Sequence, residues 1–315
     1  MAKLISIVVP VYGSEEILPL LYKRLKKVFL LIQYDFELIF IDDCGPDNCW
    51  DVICNISNSD ERVKGFRMSR NYSQHNATLC GIRKATGEII ITMDDDLQHP
   101  PEVLPTLIES LNTGYDLIYG PPLRNQHSPI RNLITDLAKY FLEFPMGTNN
   151  ARYISSLRVF HSDLRNAFSD FNSEVVNVDF LLSYATNNVG ITKVQHETRL
   201  KGSSGYSLKS LIRHTLTIIT SYSTKPLRIS TYIGMSMACF GLVIFVYVLL
   251  KWFQEGSDVP GFAFLASIIS IFSGSQLLAL GIIGEYISHM HKSSLNRPSY
   301  CIRTATKKIY MKKNL

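Results

Sequence analysis

Charge is missing from two long stretches of this 315-residue chain: Ile229 to Leu250 and Phe262 to Gly284 contain no Asp, Glu, Lys or Arg. Each exceeds the roughly 20 residues a helix needs to cross the ~30 Å apolar core of a bilayer, and uncharged runs of that length seldom occur in soluble domains. They predict two transmembrane helices. Cysteine is sparse as well. Cys44, Cys49, Cys54, Cys80, Cys239 and Cys301 form no CxxC pair and have no His-rich partner spacing, which argues against a zinc site and for reduced thiols in a cytosolic domain. The beginning of the chain lacks the basic, apolar and small-residue succession of a signal peptide, and a first strand is expected from Leu4. The net charge of +5 is modest. Basic residues beside the apolar runs account for it, so no nucleic-acid partner is needed. Internal repeats and low-complexity tracts are absent.

The connector between the apolar runs, Gln254 to Gly261, carries Glu255 and Asp258 but no Lys or Arg. Lys225 and Arg228 precede the first run, while His289, His291, Lys292, Arg297, Lys307, Lys308, Lys312 and Lys313 follow the second. The positive-inside rule then puts both ends of the chain in the cytoplasm. The expected organisation is a cytoplasmic catalytic domain over residues 1–200, an interfacial amphipathic region over 201–228, a transmembrane hairpin over 229–288 and a basic cytoplasmic tail over 289–315. Within the second region, Leu208, Leu211, Ile212, Leu216 and Ile219 recur at helical spacing, with Lys209, Arg213 and His214 on other faces. That pattern suits a helix lying in the membrane interface, with a helix packed on its own domain as the alternative.

Through the first half, apolar strands alternate with helical patterns. Strands are predicted at Leu4–Val11, Phe36–Ile41, Val63–Met68, Glu88–Met93 and Tyr115–Tyr119, and helices after the first strand to about Leu31, from about Asp47, from about Ser73 and from Pro101 to about Asn112. This alternation predicts an α/β fold with a parallel-rich, Rossmann-like sheet, in which ligands bind beyond the carboxyl ends of the strands at a switch in strand order. Pro10-Val11-Tyr12-Gly13, Asp42-Asp43 and Asp94-Asp95-Asp96 all fall at such ends. Beyond Gly120 the pattern is less regular, with a basic segment through Arg124 and Arg131 and an amphipathic helix near Asn132 to Glu143, where the acceptor side is expected.

The triplet Asp94-Asp95-Asp96 is the most telling feature, because three adjacent anions repel one another and call for a cation. Strand alternation would put Asp94 and Asp96 on one side and Asp95 on the other. Two carboxylates with open water positions suit magnesium or manganese held against a substrate diphosphate better than zinc. The alternative is an acidic turn capping the helix near Pro100. A metal there would neutralise the diphosphate of a nucleotide donor, which is chemistry for transferring a sugar. Asp43 is placed to bind a ribose or base, with Pro10, Tyr12 and Glu15 as the opposite wall; Asp42 is expected to support its turn and Asp47 to cap the next helix.

Together, Val9-Pro10-Val11-Tyr12, Ile41-Asp42-Asp43, Ser69-Arg70-Asn71-Tyr72 and Asp94-Asp95-Asp96-Leu97-Gln98-His99-Pro100-Pro101-Glu102 resemble the motifs of family 2 glycosyltransferases of the GT-A fold. Arg199-Leu200-Lys201-Gly202-Ser203-Ser204-Gly205-Tyr206, and Lys225-Pro226-Leu227-Arg228 before the apolar runs, are similar to the branch acting on polyprenyl phosphates. The resemblance implies that Asp94, Asp96 and Gln98 face a divalent metal, Mg or Mn, and that Pro10, Tyr12, Glu15, Asp43, Arg70 and Asp95 serve the nucleotide-sugar donor. It implies acceptor-phosphate contacts from Arg124, Arg131, Ser204 and Tyr206, catalytic parts for Asp94, Asp96, Arg158 and Arg199, and a homo-oligomer, for which Ser270 and Gly274 offer small residues along the second apolar run. One departure stands out. Where relatives often carry an Asp proposed as catalytic base, this chain has Ser156. A phosphate monoester already carries roughly −1.5 to −2 charges near neutral pH and needs no base, so the departure is compatible with a lipid-phosphate acceptor. Asp95 and Asp179 remain as alternative bases, and Arg158 as a holder of an anionic oxygen. The expected activity is inverting transfer of a sugar to polyprenyl phosphate at the cytoplasmic membrane face; transfer to a hydroxyl of a lipid-linked glycan, or a non-catalytic membrane scaffold, are the competing readings.

Overall fold

The computed structural model of the chain describes residues 4–32, 34–123, 153–197, 223–255 and 261–306. Eight strands form one sheet: β1 (Leu4–Val11), β2 (Asp35–Asp42), β3 (Val63–Met68), β4 (Ile89–Thr92), β5 (Leu117–Tyr119), β6 (Arg158–His161), β7 (Val189–Ile191) and β8 (Ile302–Ala305), in the order β7-β5-β6-β4-β1-β2-β3-β8. β4, β1, β2 and β3 are mutually parallel, as the alternation predicts. β6 runs antiparallel between β4 and β5, and β8 runs antiparallel along β3. The chain builds β2 and β3 on one side of β1 and then returns to place β4 on the other. That reversal is the switch point where a crevice opens above the strand ends.

β1 is buried along nearly its whole length because helices cover both faces of the sheet. Ile5, Ile7 and Val9 pack with Leu18, Leu21 and Leu25 of α1 (Leu18–Leu31), Ile53 of α2 (Cys49–Ser59) and Leu104 and Leu107 of α4 (Leu104–Asn112). Val8, Ile39 and Ile41 face the other way, against Leu79 and Ile82 of α3 (Gln74–Lys84) and Leu181 of α5 (Val178–Ala185). A side chain at Gly81 would place its Cβ 2.2 Å from Val8 Cγ1, so glycine is what lets α3 lie this close to the sheet. This seats the first residue of α3 at the crevice.

The described residues divide into two compact units, 4–197 with 296–306, and 223–295. The second unit consists of α6 (Lys225–Glu255) and α7 (Phe262–Ser294), whose stretches Lys225–Val248 and Ile271–Ser294 are long and apolar enough to cross a membrane. Both helices run past the uncharged segments that predict them. The expected basic tail needs correction: α7 continues to Ser294, and residues 296–306 rejoin the α/β unit, with β8 pairing to β3. Alternation of strands and helices carries no trace of this return, since β8 is four residues long and lies more than two hundred positions from its partner. The amphipathic segments expected at Asn132–Glu143 and Tyr206–Tyr222 lie outside the described residues.

Candidate active site

The crevice is built from three loops that leave β1, β2 and β4. After β1 the chain turns through Gly13, whose φ of +73° is left-handed backbone that glycine adopts freely. The Tyr12 amide and the Ser14 hydroxyl then point at Asp95, at 3.2 and 2.6 Å from its Oδ2. Two loops on either side of the switch point are thereby tied together by one carboxylate. Burial, and then its neighbours Asp94 and Asp96, push Asp95 up to about 6 against the pull of the Ser14 and Tyr12 hydrogen bonds.

β4 ends at Thr92, so strand alternation stops short of the acidic triplet and loop contacts accompany each carboxylate instead. Each carboxylate takes its own direction. Asp94 reaches α3 and the lead-in to β6, accepting from Gln74 Nε2 at 2.5 Å and Ser156 Oγ at 2.6 Å. Asp95 faces the β1 loop. Asp96 is 6% exposed and its Oδ1 accepts the Gln98 amide at 3.0 Å. Leu97 makes this turn with a φ of +57°, a strained value for leucine that is offset by complete burial of its side chain in the core.

Asp43, past the end of β2, is 3% exposed and accepts the Tyr72 amide at 2.7 Å. Burial raises its carboxyl to about 6, against the Tyr72 and Ser73 amides. Asp42 does support the turn, accepting from Gly45 N and pairing with Arg67. Asp47 accepts the Glu15 amide at 2.9 Å, and Glu15 returns the bond by accepting the Asn48 amide at 3.2 Å. Pro10 is buried in β1, while Tyr12 is 54% exposed at the rim. Arg70 is exposed, with its guanidinium 4.6 Å from the centre of the Tyr72 ring.

Arg158 differs from expectation. Its guanidinium is 4% exposed and forks onto Asp179 at 2.6 and 2.9 Å, with Thr92 Oγ1 and the Ser156 carbonyl taking further N–H groups at 3.1 Å. Four of its five N–H groups are committed, so it holds the lead-in to β6 in place and is not a free binder of an anionic oxygen. Asp179 is likewise no base: burial pushes it up, but the Arg158 charge and hydrogen bonds win and keep it below the usual carboxylate range. Arg124, Arg131, Arg199, Ser204 and Tyr206 lie outside the described residues.

The segment after β7 braces the acidic loop. The Glu197 amide donates to the Gln98 carbonyl at 2.9 Å, and Arg24 on α1 bridges Glu102 at 2.6 Å and Glu197 at 2.9 Å. His99 is buried edge-on against His196, with ring centres 4.6 Å apart, and burial and then His196 push its pKa down to about 4. It is neutral at physiological pH. Ser14, Gln74, Arg24 and His196 carry no motif signal of their own; only Ser14, directly after Pro10-Val11-Tyr12-Gly13, and Gln74, opening the helix after Ser69-Arg70-Asn71-Tyr72, stand close enough to a recognisable segment to be found from sequence.

Among the described residues, no three His, Cys, Asp or Glu side chains gather into a cage that would hold a metal alone. A hard cation bound with a diphosphate uses one or two carboxylates and takes its other oxygens from phosphate and water. The Asp94 and Asp96 carboxylates, beside a third whose ionisation they oppose, fit that donor set.

The profile of Glycosyl transferase family 2 matches residues 6–167, half of the chain. The chain is a family 2 glycosyltransferase. The matched region spans β1 to the turn after β6 and includes all three crevice loops. A second family, described as the GtrB C-terminal hairpin, matches residues 225–290 of the glycosyltransferase, within α6 and α7. It is 31% identical over 302 residues to the undecaprenyl-phosphate 4-deoxy-4-formamido-L-arabinose transferase of Shewanella sediminis, covering 95% of this chain and 91% of that one. It is 30% identical to the putative glycosyltransferase CsbB of Bacillus subtilis, covering 96% and 92%. Among solved structures, glucosyl-3-phosphoglycerate synthase from Mycobacterium tuberculosis, in complex with Mn2+, UDP and glucosyl-3-phosphoglycerate, superimposes with a TM-score of 0.51 at 16% identity, over 70% of this chain and 80% of that one. Mannosyl-3-phosphoglycerate synthase from Rubrobacter xylanophilus gives 0.51 at 12% identity, over 72% and 74%. At these identities the likeness is one of fold, and the fold of the glycosyltransferase is the GT-A type that its sequence motifs imply.

Proposed function

We propose that this glycosyltransferase moves one sugar from a nucleoside diphosphate sugar to undecaprenyl phosphate at the cytoplasmic face of a bacterial inner membrane. The observation that carries this reading is the 31% identity to an undecaprenyl-phosphate sugar transferase over 95% of the chain, running through both the crevice loops and the apolar hairpin. In the proposed reaction a lipid-phosphate oxygen attacks the anomeric carbon, the bond from that carbon to the donor diphosphate breaks, and the nucleoside diphosphate departs with inversion. Asp43, with Pro10, Tyr12, Glu15 and Arg70 around it, serves the nucleoside; Asp95 acts by holding the β1 loop. Asp94, Asp96 and Gln98 would hold Mg or Mn, which neutralises the charge gathering on the leaving diphosphate. Arg199, with Arg124, Arg131, Ser204 and Tyr206, is assigned to the phosphates.

No side chain need remove a proton from the acceptor, because a phosphate monoester is already anionic. Ser156 fits this requirement, since it offers a hydroxyl, donated to Asp94, at the position where relatives often carry a carboxylate. The two helices are assigned to the bilayer, and self-association is assigned to the same hairpin.

The deciding experiment presents purified full-length protein with undecaprenyl phosphate, Mn2+ and a panel of nucleoside diphosphate sugars, and measures both nucleoside diphosphate release and labelled glycolipid. Transfer that requires lipid phosphate and metal together is the expected result. Transfer only to a lipid-linked glycan, or no turnover with any donor, would overturn the reading.

A further inference from the structure

We propose that Gln74 and Ser156 are a pair of positioning residues that fix the carboxylate of Asp94 for a divalent ion; this rests on the reading above that Asp94 is a metal ligand. Asp94 stands two residues beyond the end of β4, so no strand ladder sets its direction. Two hydrogen bonds from described residues bear on it instead. Gln74 Nε2 donates to Oδ1 at 2.5 Å and Ser156 Oγ donates to Oδ2 at 2.6 Å, so each oxygen is engaged from a different side.

Both donors are themselves anchored. Gln74 opens α3, and the residues around it are pinned by the Tyr72 amide on Asp43 at 2.7 Å, the Ser73 amide on Asn71 at 3.0 Å and the Asn76 amide on the Ser299 carbonyl at 2.5 Å. The Ser156 carbonyl accepts from Thr92 Oγ1 at 3.0 Å and from Arg158 at 3.1 Å. Loop 69–74 therefore joins the carboxylate assigned to the nucleoside, Asp43, to the one assigned to the metal, Asp94.

The chemistry of the donors matters. An amide and a hydroxyl orient a carboxylate and leave its full negative charge for a cation, whereas Arg or Lys in their place would cancel it. A carboxylate oxygen has lone-pair capacity beyond one hydrogen bond, so the clamp and a metal are compatible. Outer partners of metal ligands typically contribute about 10–100-fold to metal affinity.

The test is Mn2+ binding to the full-length protein in detergent, read from the electron paramagnetic resonance signal of free Mn2+, alongside the Mn2+ requirement for turnover. Q74A and S156A are each expected to weaken Mn2+ binding roughly tenfold and to raise the Mn2+ concentration for half-maximal rate by a similar factor, with a smaller effect on donor KM. S156T, which keeps the hydroxyl, is expected to recover most of the affinity. Wild-type Mn2+ affinity in both Q74A and S156A, or an S156T variant as impaired as S156A, would overturn the clamp. D94N separates the two levels. If D94N loses Mn2+ while Q74A and S156A keep it, the clamp alone fails; if D94N binds Mn2+ like the wild type, the metal assignment fails and the clamp with it.

Discussion

The Ser14 hydroxyl donates to the Asp95 carboxylate across 2.6 Å, joining the loop after β1 to the loop after β4 at the point where the strand order reverses. The same oxygen takes the Tyr12 amide at 3.2 Å. A carboxylate with partners from the opposite loop sets the width of the crevice between them. Removing the hydroxyl in Ser14→Ala leaves a half-buried carboxylate short of a charge-assisted bond, which costs about 1–3 kcal/mol. A lower thermal midpoint and a several-fold higher donor KM are expected; an unchanged donor KM would mean that the two loops hold their spacing without this contact.

Substituting either proposed metal carboxylate should separate folding from turnover. Asp96→Asn keeps the shape of the side chain and an oxygen to accept the Gln98 amide, now 3.0 Å away, while removing a charge. Turnover with Mn2+ is expected to fall at least about a hundredfold with the thermal midpoint within a few degrees of wild type. Wild-type rates would refute the metal assignment.

Asp43 gives opposite pH slopes for stability and for binding. Its pKa in the folded protein is about 6, above the usual carboxylate value of 3.8, because it is buried. The folded state therefore holds this proton more tightly than the unfolded one, and the stability it contributes is fully present below about pH 4 and lost as pH rises through about 6. Donor binding runs the other way, since the acceptor capacity of the carboxylate is lost on protonation: donor KM should rise as pH falls below about 6. Asp43→Asn should flatten both slopes, raising stability at pH 7.5 by about 1 kcal/mol after allowance for screening by nearby water. Thermal melts and donor KM between pH 5 and 8 would check this: both the melting temperature and KM should fall as pH rises, and a KM that instead climbs while the melting temperature falls would contradict it.

Arg158 and Asp179 predict a stability defect where a substrate contact would predict a binding defect. The pair is buried and bidentate, at 2.6 and 2.9 Å, so Arg158→Met strands the Asp179 charge and should cost about 3–5 kcal/mol. The double variant Arg158→Met with Asp179→Leu should regain much of that loss. A stable, soluble Arg158→Met whose only fault is a high KM would restore the arginine to the list of substrate contacts.

Much of this arrangement is legible in the sequence because it depends on local chemistry. Continuous apolar runs such as Ile89-Ile90-Ile91 form strands covered on both faces, and polar residues placed directly after them must gather at one edge of a parallel sheet. What fails to show is whatever depends on pairing distant segments. The strand period does not extend past Thr92, and the partners that Asp94 and Asp95 meet, Gln74 and Ser156 for the first and Ser14 for the second, are each at least 20 positions away. Arg158 likewise looks like a free cation until Asp179 arrives from α5. β6 and β8 are each four residues long, too short to carry a period, and join the sheet antiparallel through partners that no local pattern names.

The return of the chain after α7 has a consequence that a simple tail would not. β8 pairs with β3 along its outer side, the Ser69 amide donates to the Cys301 carbonyl at 2.9 Å, and the buried Asn76 amide donates to the Ser299 carbonyl at 2.5 Å. Asn76 sits two residues after Gln74 on α3, so this contact supports the same end of the helix that faces Asp94. Ending the chain after Ser294 would expose the edge of β3 and leave the Asn76 amide only its longer bond to the Glu174 carbonyl at 3.3 Å, a loss of about 0.5–1.5 kcal/mol for the missing hydrogen bond before the lost strand is counted. The shortened protein is expected to keep its hairpin helices and yet lose thermal stability and nearly all turnover. Asn76→Ala in the full chain isolates the one contact, and should lower the thermal midpoint while leaving β8 in place. If the shortened chain transferred sugar at the wild-type rate, residues 296–306 would be a dispensable edge, and the support they give to loop 69–74 would have no part in the reaction.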